Sequence, residues 1–264
     1  MTRYHSKPVS QEGWVEWSLE DDAIWHDLVK RQLNVVNDRA CDAYLHGLTL
    51  LELPSDRVPQ LPEINKVLKE TTGWQVQPVA ALIDFDHFFD LLANKRFPVA
   101  TFLRTRDEFD YLQEPDFFHE IFGHCAMLTN TDFAAFTEHY GKLGQVATPK
   151  QRAYLARLYW FTVEFGLVRE GQKLKIYGGG ILSSPAETLY ALEGNVAIRD
   201  EFDIHTVLIT PYRIDIMQPK YYVIEGLSEL FKISQTNLLQ HVDRAIEAGL
   251  LPPLYEPKEP VHVE

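Results

Sequence analysis

Apolar positions recur at helical spacing along much of the chain. Ser18-Leu19-Glu20-Asp21 resembles a capping box, and Ile24, Leu28, Val35 and Ala43 mark one side of a helix expected to stop near Gly47. Further helices are predicted over 62–72, closed by Gly73, and after Asp84, carrying Phe85, Phe88, Phe89, Leu91 and Leu92. Others run from Thr131 to about Leu143, from Thr148-Pro149 to about Val168, over 185–192 with Glu187 inside, and through most of 227–248. Shorter apolar runs bounded by turn residues predict strands at 76–83, 97–104, 174–177, 207–209 and 221–224. Residues 1–17 read as extended and loosely ordered, with Trp14 and Trp17 as anchors; 105–114 is a charged loop and the tail from Pro252 is draped or disordered. The sum is an α+β, predominantly helical single domain with a few short strands, not a wound parallel sheet.

Composition narrows the function classes. A net charge of −13 on 264 residues argues against a nucleic-acid backbone or anionic membrane as main partner. The N-terminus leads into no signal-like apolar region, and no apolar run approaches the roughly 20 residues that span a bilayer. Cys41 and Cys125 form no metal-ligand spacing and suggest free thiols in a reducing compartment. A cytoplasmic protein is expected.

The chemistry concentrates in 115–124, Pro-Asp-Phe-Phe-His-Glu-Ile-Phe-Gly-His, and in 159–167, Tyr-Trp-Phe-Thr-Val-Glu-Phe-Gly-Leu. Glu164 is the only charge in its apolar run, and burying a lone carboxylate costs several kcal/mol or so unless something pairs with it. A metal held by His119 and His124 is such a partner, and two His with one carboxylate form the facial set of non-heme Fe(II) oxygenases. The histidines are five apart, not the four of the zinc-protease motif. On a regular helix that separation leaves them about 140° apart, so Gly123 is where the backbone is expected to leave regular geometry. Two readings compete: a zinc hydrolase using His119, Glu120 and His124, and a binding module with a structural metal, for which only three ligands are visible. Gly178-Gly179-Gly180 lacks the dinucleotide-binding spacing; a tight turn and close approach to a ligand both remain open.

Segments 114–124, 159–167 and 177–184 (Tyr-Gly-Gly-Gly-Ile-Leu-Ser-Ser) resemble the pterin-dependent aromatic amino acid hydroxylases, closest to the short bacterial phenylalanine 4-hydroxylases. The resemblance covers about residues 20–230. It implies a mainly helical catalytic domain using Fe(II), tetrahydrobiopterin (or a related tetrahydropterin) and dioxygen to hydroxylate L-phenylalanine to L-tyrosine, with tyrosine or tryptophan hydroxylation as alternatives within the family. It implies His119, His124 and Glu164 as iron ligands, and Leu82, Ile83, Phe88, Glu120, Ala156 and Tyr159 around the pterin. Arg104 would grip the substrate carboxylate, a task for a planar guanidinium. Tyr111, Leu112, Pro115, Trp160, Phe165, Gly180, Ser183 and Ile214 would form the rest of the substrate pocket, with Tyr212 on a lid. Glu120 and Ser183 would also act in catalysis, Ser183 by fixing the tautomer of a ligand histidine. Leu112 departs from the threonine of many animal relatives. The chain shows neither the regulatory segment nor the heptad tail of animal members, so a monomer is expected.

Overall fold

The computed structural model describes residues 4–256. α1 (Leu19–Val36) begins at Ser18, whose hydroxyl accepts from Asp21 N–H while Asp21 accepts from Ser18 N–H. It stops at Val36 instead of continuing to Gly47. Ile176 takes the next residues into sheet-like bonds: Cys41 N–H donates to Ile176 O at 2.9 Å and Ile176 N–H donates to Arg39 O at 2.9 Å. A separate α2 (Asp42–Leu51) follows, with Gly47 inside it. Gly47 is there for room, since a Cβ would lie 2.1 Å from Ala126 O.

After α3 (Leu61–Thr71), β1 (Gln75–Val79), α4 (Phe85–Ala93) and β2 (Arg96–Ala100) form a parallel pair joined through a helix, the crossover that parallel strands require. Both strands end before the expected Ile83 and Arg104, leaving 80–83 and 101–105 as loops. The residues before α1 are tied here: Lys7 N–H donates to Thr101 O at 2.8 Å and Ser6 Oγ to Val79 O at 2.7 Å. Residues 4–17 are therefore not loosely ordered, and 1–3 lie outside the described residues. Trp17 packs on Phe117, but Trp14 is 52% exposed and Val15 is the buried anchor.

The second half holds α5 (Thr131–Val146), α6 (Pro149–Tyr159), β3 (Leu167–Glu170), β4 (Lys173–Ile176), α7 (Gly179–Leu182), α8 (Pro185–Glu193), β5 (Ile198–Glu201), α9 (Ile204–Ile209), β6 (Lys220–Ile224), α10 (Leu227–Ser234) and α11 (Leu238–Ala248). Four strands form a mixed sheet in the order β4-β3-β6-β5. Two expectations fail here, and one strand is unexpected. The helix from Thr148 does not reach Val168, because residues 167–168 pair with 223–224 and the strand register wins over local helical pattern. The run 207–209 is helical, because Asp203 caps it, accepting from Thr206 N–H at 2.8 Å, and this outweighs β-branched propensity. β5 was missed because it is an exposed edge strand of mostly charged residues. The tail residues 252–256 lie against the loop after α9, with Tyr255 Oη donating to Tyr212 O at 3.1 Å; the remaining tail, 257–264, is outside the described residues.

Candidate metal centre and the surrounding cleft

His119–Cys125 is a π-helix opened by Asp116, which accepts from His119 N–H at 3.0 Å. Bonding from i to i+5 sets residues five apart side by side, and the two Nε2 atoms come within 3.1 Å. The spacing that would splay rings on an α-helix is the one a π-turn aligns. Gly123 is therefore not a hinge, and its φ is not positive. It makes room for α7, since a Cβ there would lie 2.7 Å from Gly179 O.

Trp160–Glu164 is a second π-helical turn, continuing α6. From it Glu164 reaches both rings, Oε2 at 3.7 Å from His119 Nε2 and Oε1 at 3.4 Å from His124 Nε2. Burial pushes the Glu164 carboxyl up, but His124, His119 and the Gly180 N–H together hold it below the usual range. Burial pushes His119 down to about 4, with Glu164 opposing. Its Nδ1 lies 2.8 Å from Ser183 Oγ. A neutral ring donating from Nδ1 to Ser183 presents its Nε2 lone pair to His124 and Glu164.

A second carboxylate is close: ligand atoms of His119, Glu120 and His124 all lie within 4.8 Å of one another. Charge separates the two acids. Burial, then Glu164 and Asp116, push the Glu120 carboxyl well above the usual range, while Glu164 is held below it. Gly178-Gly179-Gly180 is the back wall. A Cβ on Gly178 would lie 2.4 Å from Glu164 O, one on Gly179 2.4 Å from the His124 ring, and one on Gly180 3.0 Å from Glu164 Oε2.

Arg104 is 6% exposed. Its Nε and Nη2 donate to the two oxygens of Asp116, each at 2.9 Å, leaving the Nη1–Nη2 end of the fork free of any described protein acceptor. Trp160 lies between Phe165, with centroids 4.4 Å apart, and Tyr212, stacked at 4.5 Å. Phe88 meets Tyr159 edge-on at 5.5 Å. Ala156, half-buried, is one turn before Tyr159, and Ile83 and Pro115 are also half-buried. Leu82, Tyr111 and Ile214 are 58%, 60% and 55% exposed, and Leu112 packs with Ala81, Ala100 and Phe102. No described contact ties these four to the histidines and Glu164.

Two residues of the cleft were not recognised from sequence. Asp116, a lone acid between Pro115 and Phe117, is a signal that calls for a cation. Gln218 carried no signal. It is 1% exposed, accepts from Trp160 Nε1 at 3.0 Å and donates to Arg213 O at 2.8 Å and Ile216 O at 2.9 Å.

Residues 3–248 match the family model of the biopterin-dependent aromatic amino acid hydroxylases. The chain belongs to this family. It is 66% identical over 262 residues to a phenylalanine-4-hydroxylase of Vibrio cholerae, covering 99% of this chain and 91% of that protein. The apo structure of the cold-active phenylalanine hydroxylase from Colwellia psychrerythraea 34H superposes with a TM-score of 0.93 at 54% identity, covering 95% of this chain and 97% of that one. The Chromobacterium violaceum phenylalanine hydroxylase with bound oxidised Fe(III) superposes with a TM-score of 0.87 at 43% identity, covering 89% and 86%. Membership of this hydroxylase family displaces the zinc-hydrolase and structural-metal readings.

Proposed function

We propose that this hydroxylase is a phenylalanine 4-monooxygenase, converting L-phenylalanine to L-tyrosine with dioxygen and tetrahydrobiopterin at a non-heme Fe(II) site. The observation that carries the reading is the convergence of His119, His124 and Glu164 from two π-helical turns. The donor set fits the metal: two imidazole nitrogens 3.1 Å apart face Glu164, with the Glu120 carboxylate nearby and no thiolate among the described residues at the site. A divalent cation supplies the charge that this cluster of acceptors lacks.

Fe(II) and the tetrahydropterin, when bound, supply the activation of dioxygen for insertion into the aromatic ring. The chain's own residues do the rest. Ser183 keeps the proton of His119 on Nδ1. Glu120 sets its carboxyl beside the ligands, facing the pterin. Asp116 locks one edge of the Arg104 guanidinium, and the free end takes the substrate carboxylate. Trp160 and Phe165 flank the substrate ring, and the absence of a Cβ on Gly180 leaves it room. Tyr111, Leu112, Pro115 and Ile214 border the substrate's approach, with Tyr212 as its lid. Phe88, Tyr159, Ala156, Leu82 and Ile83 take the pterin.

Phenylalanine is the preferred ring, because Trp160 between two aromatic neighbours leaves little space for an indole and Ile214 offers a phenol no partner. A hydrophobic wall rejects an added hydroxyl by only about a hundredfold, so the preference is not absolute. No helix of the described residues is long and apolar enough to cross a membrane. We extend the reading to one catalytic unit acting as a monomer in a reducing cytoplasm, where buried Cys41 and Cys125 stay as thiols; sedimentation of the iron-loaded protein tests the monomer.

The deciding experiment loads the protein anaerobically with Fe(II) and adds tetrahydrobiopterin, dioxygen and each of the three aromatic amino acids. Tyrosine should form from phenylalanine with matching pterin oxidation, and catalytic efficiency should be highest for phenylalanine. Equal efficiency on tryptophan or tyrosine would overturn the specificity, and no product from any of them the reaction itself.

A further inference from the structure

Glu187 is a buried acid to which the reading above gives no task. It stands in the first turn of α8, shortly after Ser183, the partner of His119. No cation pairs with it among the described residues. Its Oε1 instead takes two donors, the Tyr221 hydroxyl and the Gln218 N–H, the latter at 3.1 Å. These donors lie on either side of Pro219, where the loop 211–217 runs into β6. Glu187 therefore grips the chain at the point where that loop ends. A buried carboxyl without a cation is a costly way to fill space, because hydrogen bonds offset only part of its desolvation. What it offers in return is one oxygen that accepts an O–H and an N–H together.

Gln218 passes this grip on. Glu187 fixes its backbone, and its buried side chain makes three bonds of its own. The amide oxygen accepts from the Trp160 indole N–H at 3.0 Å, and the amide nitrogen donates to Arg213 O at 2.8 Å and Ile216 O at 2.9 Å, on either side of Ile214. Hydrogen bonds weaken steeply as distance and angle depart from ideal, so all three hold only from one placement of the Gln218 backbone. We propose that Glu187 is a positioning residue for the substrate ring: through Gln218 it sets where the Trp160 indole stands and how close the Ile214 loop comes, and with them the width of the ring pocket. It acts at one remove, with no described contact to His119, His124 or Glu164. The proposal rests on the reading of Trp160 and Ile214 as walls of the phenylalanine pocket and adds the residue that spaces them.

The test is steady-state kinetics of the iron-loaded enzyme with phenylalanine and with tryptophan at saturating tetrahydrobiopterin, alongside iron content and thermal melts. In Glu187→Leu the KM for phenylalanine should rise about fivefold, the size of one lost hydrogen bond. The phenylalanine-over-tryptophan ratio of efficiencies should fall by a similar factor, with iron content and the KM for pterin unchanged. Glu187→Gln keeps an acceptor oxygen in place and should stay within about twofold of wild type. Residues acting along one chain of bonds are not additive. Glu187→Leu placed in a Gln218→Leu background should therefore add almost nothing to the KM of Gln218→Leu alone. Should Glu187→Leu not fold, Glu187→Asp, which withdraws the carboxylate by one methylene, should show the same loss of selectivity in smaller measure. A lower melting temperature with KM and selectivity unmoved overturns the proposal and leaves Glu187 a merely structural residue. So do fully additive effects in the double variant. Failure of the wild-type enzyme to hydroxylate phenylalanine would defeat the underlying reading first, a result distinct from unaltered selectivity in the variants.

Discussion

The wall that carries His119, His124 and Glu164 is packed from behind, whereas the facing loop 211–217 is half exposed and tied down by the Gln218 amide, the Tyr212–Trp160 stack and the tail at Tyr255 and Glu256. On the first side, Ser183 fixes His119, the Gly179 backbone presses on the His124 ring and the Gly180 N–H steadies Glu164. On the second, Gln218 ties the carbonyls of Arg213 and Ile216 to the Trp160 indole, and Ile214 faces solvent. Metal binding needs ligand atoms placed to a few tenths of an ångström, which only a packed support provides. Substrate choice needs shape and a few polar contacts, which a loop can supply and vary.

Breaking the first wall should have the largest effect. Glu164→Ala should lose iron and hydroxylation together while remaining folded, leaving activity at least about a thousandfold down; iron content after anaerobic loading checks it, and wild-type iron levels would remove Glu164 from the ligand set. Next comes Arg104, proposed above as the clamp of the substrate carboxylate. Arg104→Lys should raise the KM for phenylalanine roughly ten- to a hundredfold by loss of charge-assisted bonds. Asp116→Asn should reproduce much of that rise without affecting pterin affinity to the same degree. A pterin defect with intact substrate binding in either variant would give Arg104 another role.

Effects on the loop side should be smaller and show in selectivity. Gln218→Leu leaves the Trp160 N–H and two carbonyls without their partner, so KM for phenylalanine should rise by about tenfold while iron content stays unchanged. An equal loss of iron would mean that the two walls are not separable. Ile214→Asp should raise relative activity on tyrosine by only a few-fold, less than the about 1–3 kcal/mol of a buried unpaired hydroxyl, because Ile214 is exposed. The ratio of efficiencies for the two amino acids reads it directly.

The weakest probe is pH. Burial pushes the Glu187 carboxyl up, with the Tyr221 hydroxyl and Gln218 N–H offsetting only part. A raised folded-state pKa stabilises the protein below the unfolded value and is lost as pH rises through the folded one. Thermal melts of Glu187→Gln against wild type should therefore diverge in favour of the variant from about pH 4.5 upward. Parallel curves would show that Glu187 ionises without cost.

The sequence alone singled out His119, His124 and Glu164 as candidates. Two histidines and an acid isolated in apolar runs point to a metal, because a buried lone carboxylate needs a partner. It also determined the helix starts at Ser18 and Asp84, where capping is a matter of a few neighbouring residues. Tertiary structure decided how a spacing of five becomes a ligand pair, since a π-turn is a local strain tolerated only when packing on both sides enforces it. It decided why Gly47, Gly123 and Gly179 are glycines, a question of which backbone or ring would lie within 3 Å of an added Cβ. Long-range pairing ended α1 at Val36 and turned residues 167–170 into a strand, against their local pattern. Gln218 lay beyond sequence reasoning for the same reason: its amide oxygen meets the Trp160 N–H only after a chain separation of 58 residues has been closed by the fold.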